Sequence, residues 1–140
     1  MKTTPDPLVI GLGCSSAATS AEIIALIHAC LAEAGFGSSQ VTAIATHIRK
    51  RDSLALAQAA AAFDLDLRYL TDDELADRPG TCEAVAAAAG PLLLGKCKSR
   101  YATCAIALAA PDFVPAAFGQ PANPSAAMAS LTLDTSLAGP

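Results

Sequence analysis

The chain of 140 residues has no tryptophan, 4% aromatic residues and two histidines. A core built on large rings is excluded, and so is a metal centre made of several imidazoles. Cysteine pairs at metal-ligand spacing are also missing. Cys14, Cys30, Cys82, Cys97 and Cys104 are odd in number and form no Cys-x-x-Cys pair, so neither a zinc module nor a disulfide framework is signalled, and the five read as free thiols. Charge is sparse, at 16%, and its balance is acidic. Nine Lys plus Arg against thirteen Asp plus Glu give −4 and a pI near 4.9, which argues against a nucleic-acid partner held by a general positive field. Long apolar runs are absent as well. The run Leu8 to Gly13 is too short for a signal-peptide core, and Gly, Pro or charge breaks every weakly polar stretch before the roughly 18 residues of a membrane span. The expectation is a cytoplasmic protein with no membrane partner, no metal and no cofactor.

What is present is 53% hydrophobic residues, enough for the core of one small domain. Alanine supplies roughly a quarter of the chain and buries little area per residue, so the core must lean on scattered Leu, Ile, Val and Phe. Leu8 to Gly13 reads as a strand buried on both faces. Thr19 or Ser20 caps a helix that begins near Ala21 and stops at Gly35, with Ile23, Ile27, Cys30, Leu31 and Ala34 on one side. A second strand spans 40–48 and gives way to Arg49-Lys50-Arg51-Asp52. Asp52 or Ser53 then caps an Ala-rich helix over 54–63. Leu67 to Leu70 is a third strand, and Thr71 to Leu75 carries the cap-and-Glu pattern of a short helix. After the break at Pro79-Gly80, Thr81 caps a helix over 82–89. Leu92 to Leu94 and Ala102 to Leu108 flank the basic turn Gly95 to Arg100 as a hairpin.

This order predicts an α/β fold: a single three-layer domain with a mainly parallel, mixed sheet and a C-terminal hairpin. The domain is expected over residues 1–110. Residues 111–140 hold five prolines and, as charged groups, only Asp112 and Asp134, so they read as an Ala/Pro-rich tail that Phe113 and Phe118 help to pack.

Two constellations carry chemistry. Gly11, Gly13, Cys14, Ser15 and Ser16 lie where a buried strand hands over to a helix start, with backbone N–H groups and hydroxyls suited to an anion. The run lacks the third glycine of a dinucleotide fingerprint and the Gly-Lys-Ser/Thr of a P-loop, so no nucleotide is assigned. Arg49, Lys50, Arg51, Lys96, Lys98 and Arg100 are six of the nine basic residues. If strands one, two and four run parallel, the serine loop and both basic turns emerge at the carboxyl edge of the sheet and favour a ligand with several carboxylates or phosphates. Glu83, at a helix start, is an acid–base or orienting candidate, and equally a favourable charge at a helix N-terminus. His47 ends a strand beside the first basic turn, and His28 reads as a boundary residue of its helix.

The stretch Val9 to Cys14 with Thr19 to Ile24, then Ile44-Ala45-Thr46 followed by Lys50, then Glu83, then Lys96-x-Lys98 with Ala102 to Ala107, resembles the CobE / CbiG C-terminal domain family of cobalamin-biosynthesis proteins. The resemblance covers residues 8 to 109. It implies a small α/β domain acting on a precorrin or corrinoid intermediate, with other cobalamin-pathway enzymes as partners. Gly11, Gly13, Cys14, Ser20, Lys50, Lys98 and Thr103 match the family positions and are implied substrate-binding residues, to which the chemistry above adds Ser15, Ser16, Glu83 and Lys96. The longer family members resemble a hydrolase that opens a precorrin lactone. This chain corresponds to their last domain alone, which leaves its catalysis unassigned and keeps a non-catalytic docking or carrier module as the alternative.

Overall fold

A computed structural model describes residues 7–50, 52–71, 73, 75 and 81–120. Five strands, β1 (Leu8–Cys14), β2 (Val41–His47), β3 (Leu67–Leu70), β4 (Leu92–Lys98) and β5 (Ala102–Leu108), form one sheet in the order β3-β2-β1-β5-β4. β1 pairs parallel with β2, and β2 with β3, while β5 is antiparallel to both of its neighbours. The sheet is therefore mixed, with β4 running in the same sense as β1, and helices α1 (Ser20–Ala34), α2 (Leu54–Ala62) and α3 (Cys82–Ala87) complete three layers.

The two faces of the sheet differ in side-chain size, and this follows from strand alternation. Leu8, Ile10 and Leu12 project to one face, where Ile23, Leu26, Ile27 and Leu31 of α1 and Leu56, Ala59 and Ala60 of α2 cover them. The opposite face is made of Val9, Gly11, Ala43, Ala45, Ala105 and Ala107, and α3 lies on it through Cys82, Val85 and Ala86. Small residues let the backbone of α3 come close. A Cβ on Gly11 would stand 2.1 Å from the Cys82 carbonyl oxygen and 2.8 Å from the Ala86 nitrogen. Gly11 is thus a packing glycine in mid-strand rather than part of the loop read from the sequence.

The helix caps follow the sequence signals. Thr19 accepts from the Glu22 N–H at 3.1 Å, Ser53 from Leu56 at 3.3 Å and Thr81 from Ala84 at 3.2 Å. Thr19 takes the first cap, leaving Ser20 as the first helical residue, and Gly35 closes α1 at φ 84°. α2 ends at Ala62, followed by Asp64 at φ 63°, and α3 ends at Ala87, two residues before the alanine run does. Alanine supplies propensity but no stop, and the tight approach of α3 to the sheet sets the boundary.

The hairpin departs most from expectation. β4 runs on through Lys98, so Gly95, Lys96, Cys97 and Lys98 are strand and the turn shrinks to residues 99–101. The ladder of β5 is long enough to pair them, and on an edge strand the lysine side chains stay solvated. Glu22 ties this turn to α1: its carboxylate accepts from the Ser99 hydroxyl and, at 2.7 Å, from the Tyr101 N–H. Both bonds hold the Glu22 carboxyl below the usual carboxylate range, the Ser99 bond contributing most.

Of the short helix expected at Thr71 to Leu75, the described residues show one turn, closed by Leu75 N–H on the Thr71 carbonyl at 3.1 Å. Asp72, Glu74, the Pro79-Gly80 break and Arg51 lie outside the described residues. Beyond Ala110 the chain stays on the body as far as Gln120, which exchanges two 2.9 Å backbone bonds with Tyr69 of β3. Arg68 donates from Nε to the Phe118 carbonyl at 2.7 Å, and Phe113 meets Phe118 edge-on at 5.0 Å. Residues 121–140 of the expected tail lie outside the described residues. No described helix is long and apolar enough to cross a membrane.

Candidate functional site

Because β1, β2 and β4 run in the same sense, the segments after all three emerge at one edge of the sheet. An open cleft of about 410 Å³ lies there, between the loop after β1 and the start of α2. Cys14, Ser15 and Ser16 form one wall, Arg49 and Lys50 from the 3-10 turn Ile48–Lys50 a second, and Asp52, Ser53, Leu54 and Ala55 the floor and rim. The walls are held from behind. Ser15 donates its N–H to the Tyr101 carbonyl at 2.8 Å, and its hydroxyl accepts from Ala17 at 3.3 Å, which fixes the serine loop against the β4–β5 turn. His47 is buried, and its Nδ1 accepts from the Arg49 N–H at 3.1 Å, so it shapes the basic turn from within. Thr46 closes the β1–β2 seam by donating to the Leu12 carbonyl at 2.7 Å. The Cys14 thiol stands 3.7 Å from the Ser53 hydroxyl, bridging the two sides.

This arrangement suits an anion. Ser15 and Ser16 are exposed, Lys50 supplies a cation, and the first turn of α2 presents backbone N–H groups that have no partner within the helix. The N-terminus of α1 contributes less, because its own Glu22 lies in that first turn. Leu54, 68% exposed at the rim, adds an apolar surface beside the charged wall.

The other residues singled out from the sequence do not line this cleft. Gly11 lies under α3, and Gly13 leaves room for Thr103, whose Oγ1 would stand 2.7 Å from a Cβ there. Thr103 hydrogen-bonds Cys82, whose thiol is nonetheless pushed up, mainly by burial. Glu83 accepts the Lys96 N–H at 3.1 Å and so latches the edge strand to α3. Lys98 stands opposite Thr103 in the ladder. Glu83, Lys96 and Thr103 thus gather around α3, apart from the serine loop and Lys50. Sequence reasoning overlooked the contribution of Ser53, Leu54 and Ala55. The signal was there, since an N-cap directly after a basic turn places a helix start beside cations. His28 stays exposed, 5.1 Å from the Phe63 ring, and among the described residues no group of three or more His, Cys, Asp or Glu is arranged to hold a metal ion.

Comparisons with known proteins agree with this architecture. The fold is similar to that of CobE, a protein from the cobalamin (vitamin B12) biosynthetic pathway, at 23% identity and a TM-score of 0.65 over 76% of this chain and 93% of that one. Cobalamin biosynthesis protein chiG from Agrobacterium tumefaciens str. C58 is similar at 29% identity and a TM-score of 0.62, over 74% of this chain and 98% of that one. A cobalamin biosynthesis protein G homolog from Sulfolobus solfataricus aligns at 23% identity and a TM-score of 0.63 with 76% of this chain but only 38% of its own length. No curated protein sequence matches the chain. The family described as cobalamin synthesis G C-terminus matches residues 8–79, which run from the first strand through both walls of the cleft. The chain therefore belongs to the cobalamin synthesis G C-terminus family and is a protein of the cobalamin biosynthesis pathway.

Proposed function

We propose that the cleft binds carboxylate arms of a precorrin-type intermediate of the cobalamin pathway. Such macrocycles carry several acetate and propionate groups. The observation that carries this reading is the meeting of Ser15, Ser16, Lys50 and the α2 N-terminus around one opening. A carboxylate placed there exchanges water for charge-assisted hydrogen bonds, and Lys50 offsets the repulsion from a net-acidic protein. Exposed Leu54 offers the apolar ring system a resting surface at the rim. Cys14 spans the two walls through its contact with Ser53, and Ser20 opens α1 behind the Thr19 cap. Gly11, Gly13, Glu83, Lys96, Lys98 and Thr103 belong to the frame of the sheet edge and stand outside the cleft.

The test is titration of the protein with purified pathway tetrapyrroles while the visible spectrum is followed. A saturable shift of the corrinoid bands is expected, weakened about tenfold by Lys50→Ala, in line with the loss of one charged hydrogen bond. Absence of any shift with every pathway intermediate tried overturns the reading. A second reading rests on the Sulfolobus solfataricus protein, in which the matching part is a fraction of a longer chain. On that view the domain docks against a pathway enzyme and passes an intermediate on. Product analysis by mass spectrometry after incubation with pathway intermediates separates hydrolytic processing of a lactone from carriage.

A further inference from the structure

Arg100, the last cation of the basic turn after β4, lies outside the cleft, across the serine loop from Lys50. It is exposed, and its guanidinium carbon stands 5.3 Å from the centre of the Tyr101 ring, itself 38% exposed. Stacking of this kind holds an arginine in one orientation and leaves its N–H edge available. The turn beneath the pair is braced. Glu22 accepts from the Ser99 hydroxyl and, at 2.7 Å, from the Tyr101 N–H, while the Tyr101 carbonyl accepts the Ser15 N–H at 2.8 Å. That last bond places Tyr101 directly beside a residue of the cleft's wall. The sheet order sets the spacing of the two cations' supports. β1 lies between β2, which leads into Lys50, and β5, which begins just after Tyr101. Neighbouring strands are about 4.8 Å apart, so these supports are separated by about 10 Å across the serine loop. Ser15, Ser16 and Ala17, between them, are small and exposed. A flat ligand can lie on that ridge without meeting a bulky side chain, with Leu54 at one rim and Tyr101 at the other.

We propose that Arg100 and Tyr101 form a second anchor for the polycarboxylate macrocycle, which lies across the serine loop with one carboxylate arm at Lys50 and another at Arg100. The inference rests on the reading of the cleft given above. A tetrapyrrole suits the spacing because its arms leave from all round a ring of comparable width, so two of them reach cations on opposite sides of the loop at once. The guanidinium takes a carboxylate by two parallel hydrogen bonds, and Tyr101 gives the edge of the ring an apolar contact. A ligand with a single carboxylate fills one anchor only. The pair therefore selects for arms on separate edges of the macrocycle, which a lone cation in the cleft does not.

The test titrates the full chain with hydrogenobyrinic acid, a cobalt-free corrin carrying several carboxylates, while its visible bands are followed. Arg100→Ala should weaken binding about fivefold, as for an exposed charge pair, with the urea midpoint unchanged, and Arg100→Lys should recover part of the loss. Tyr101→Phe should bind like the parent, and Tyr101→Ala more weakly. The two cations stand far enough apart to act independently, so the double variant Lys50→Ala with Arg100→Ala should lose about fiftyfold, the product of the single losses. Parent-like binding by Arg100→Ala, alongside a loss at Lys50→Ala, overturns the second anchor and leaves the cleft reading intact. A parent chain that leaves these bands unmoved overturns the inference, and the cleft reading falls only if every other pathway tetrapyrrole behaves the same way.

Discussion

The carboxyl edge of the sheet carries two polar groupings that the plane of the strands divides. On the side of α1 and α2, Ser15, Ser16, Lys50 and the α2 start face an open cleft. On the side of α3, Glu83 takes the Lys96 N–H, and Thr103 bonds Cys82 while filling the space left by Gly13. Residue types are similar in the two places. The difference lies in what the polar atoms face: in the first they look toward an open cleft, and in the second they are used on one another. A lysine or serine near a strand end is therefore a binding candidate only when the fold leaves it without an internal role.

The comparison can be broken most forcefully at Gly11. Gly11→Val should push α3 off the sheet, because the new side chain meets backbone rather than a movable side chain, and should cost about 3 kcal/mol in urea unfolding. Gly13→Ala meets the Thr103 hydroxyl instead and should cost roughly 1 kcal/mol, since that group can rotate. Equal losses at the two positions would show that α3 yields as easily as a side chain.

Next in size is binding. Lys50→Ala should weaken a pathway tetrapyrrole by about tenfold with little change in unfolding midpoint, whereas Lys98→Ala should leave the affinity as it was. A reversed order would move the site to the α3 side. Glu83→Gln should lower stability by about 0.5 kcal/mol, through a weaker bond to Lys96 and a lost charge at the start of α3, without altering tetrapyrrole affinity. A fall in affinity would join the two groupings into one site.

The smallest effect concerns acid. Glu22 is held below its ordinary carboxyl range by Ser99 and Tyr101 in the folded state. Its contribution to stability is therefore present above the unfolded-state pKa and lost as pH falls through the lower folded value. Glu22→Gln should flatten that acid limb of the stability curve, its loss of stability appearing at neutral pH and shrinking as the pH falls. An unchanged limb would show that the tie between α1 and the β4–β5 turn holds without the charge.

Strand and helix identities were legible because the patterns are local. Thr19, Ser53 and Thr81 stand directly before their helices, Leu8 to Leu12 is a continuous apolar run, and Leu67–Leu70 matches its strand to the residue. The extension of β4 through Gly95, Lys96 and Lys98 was not legible. A glycine flanked by lysines looks like a turn until a long partner strand supplies its ladder. The cleft was legible in part. Cys14, Ser15, Ser16 and Lys50 do line it, whereas Glu83, chosen on chemistry, and Thr103, implied by the family resemblance, face α3.

The sequence by itself determined which segments are strands and helices, that the fold is α/β with a mixed sheet, and which loops carry serine and cation. Those features depend on neighbouring residues, through periodicity, capping and charge, and survive without knowledge of the rest. Only the tertiary structure decided which face of the sheet each residue occupies, that Gly11 serves packing, and that Cys97 and Cys104 pair across the ladder. Strand alternation makes the face a matter of a single residue of register. Register, in turn, is set by partners that lie tens of residues away in the chain.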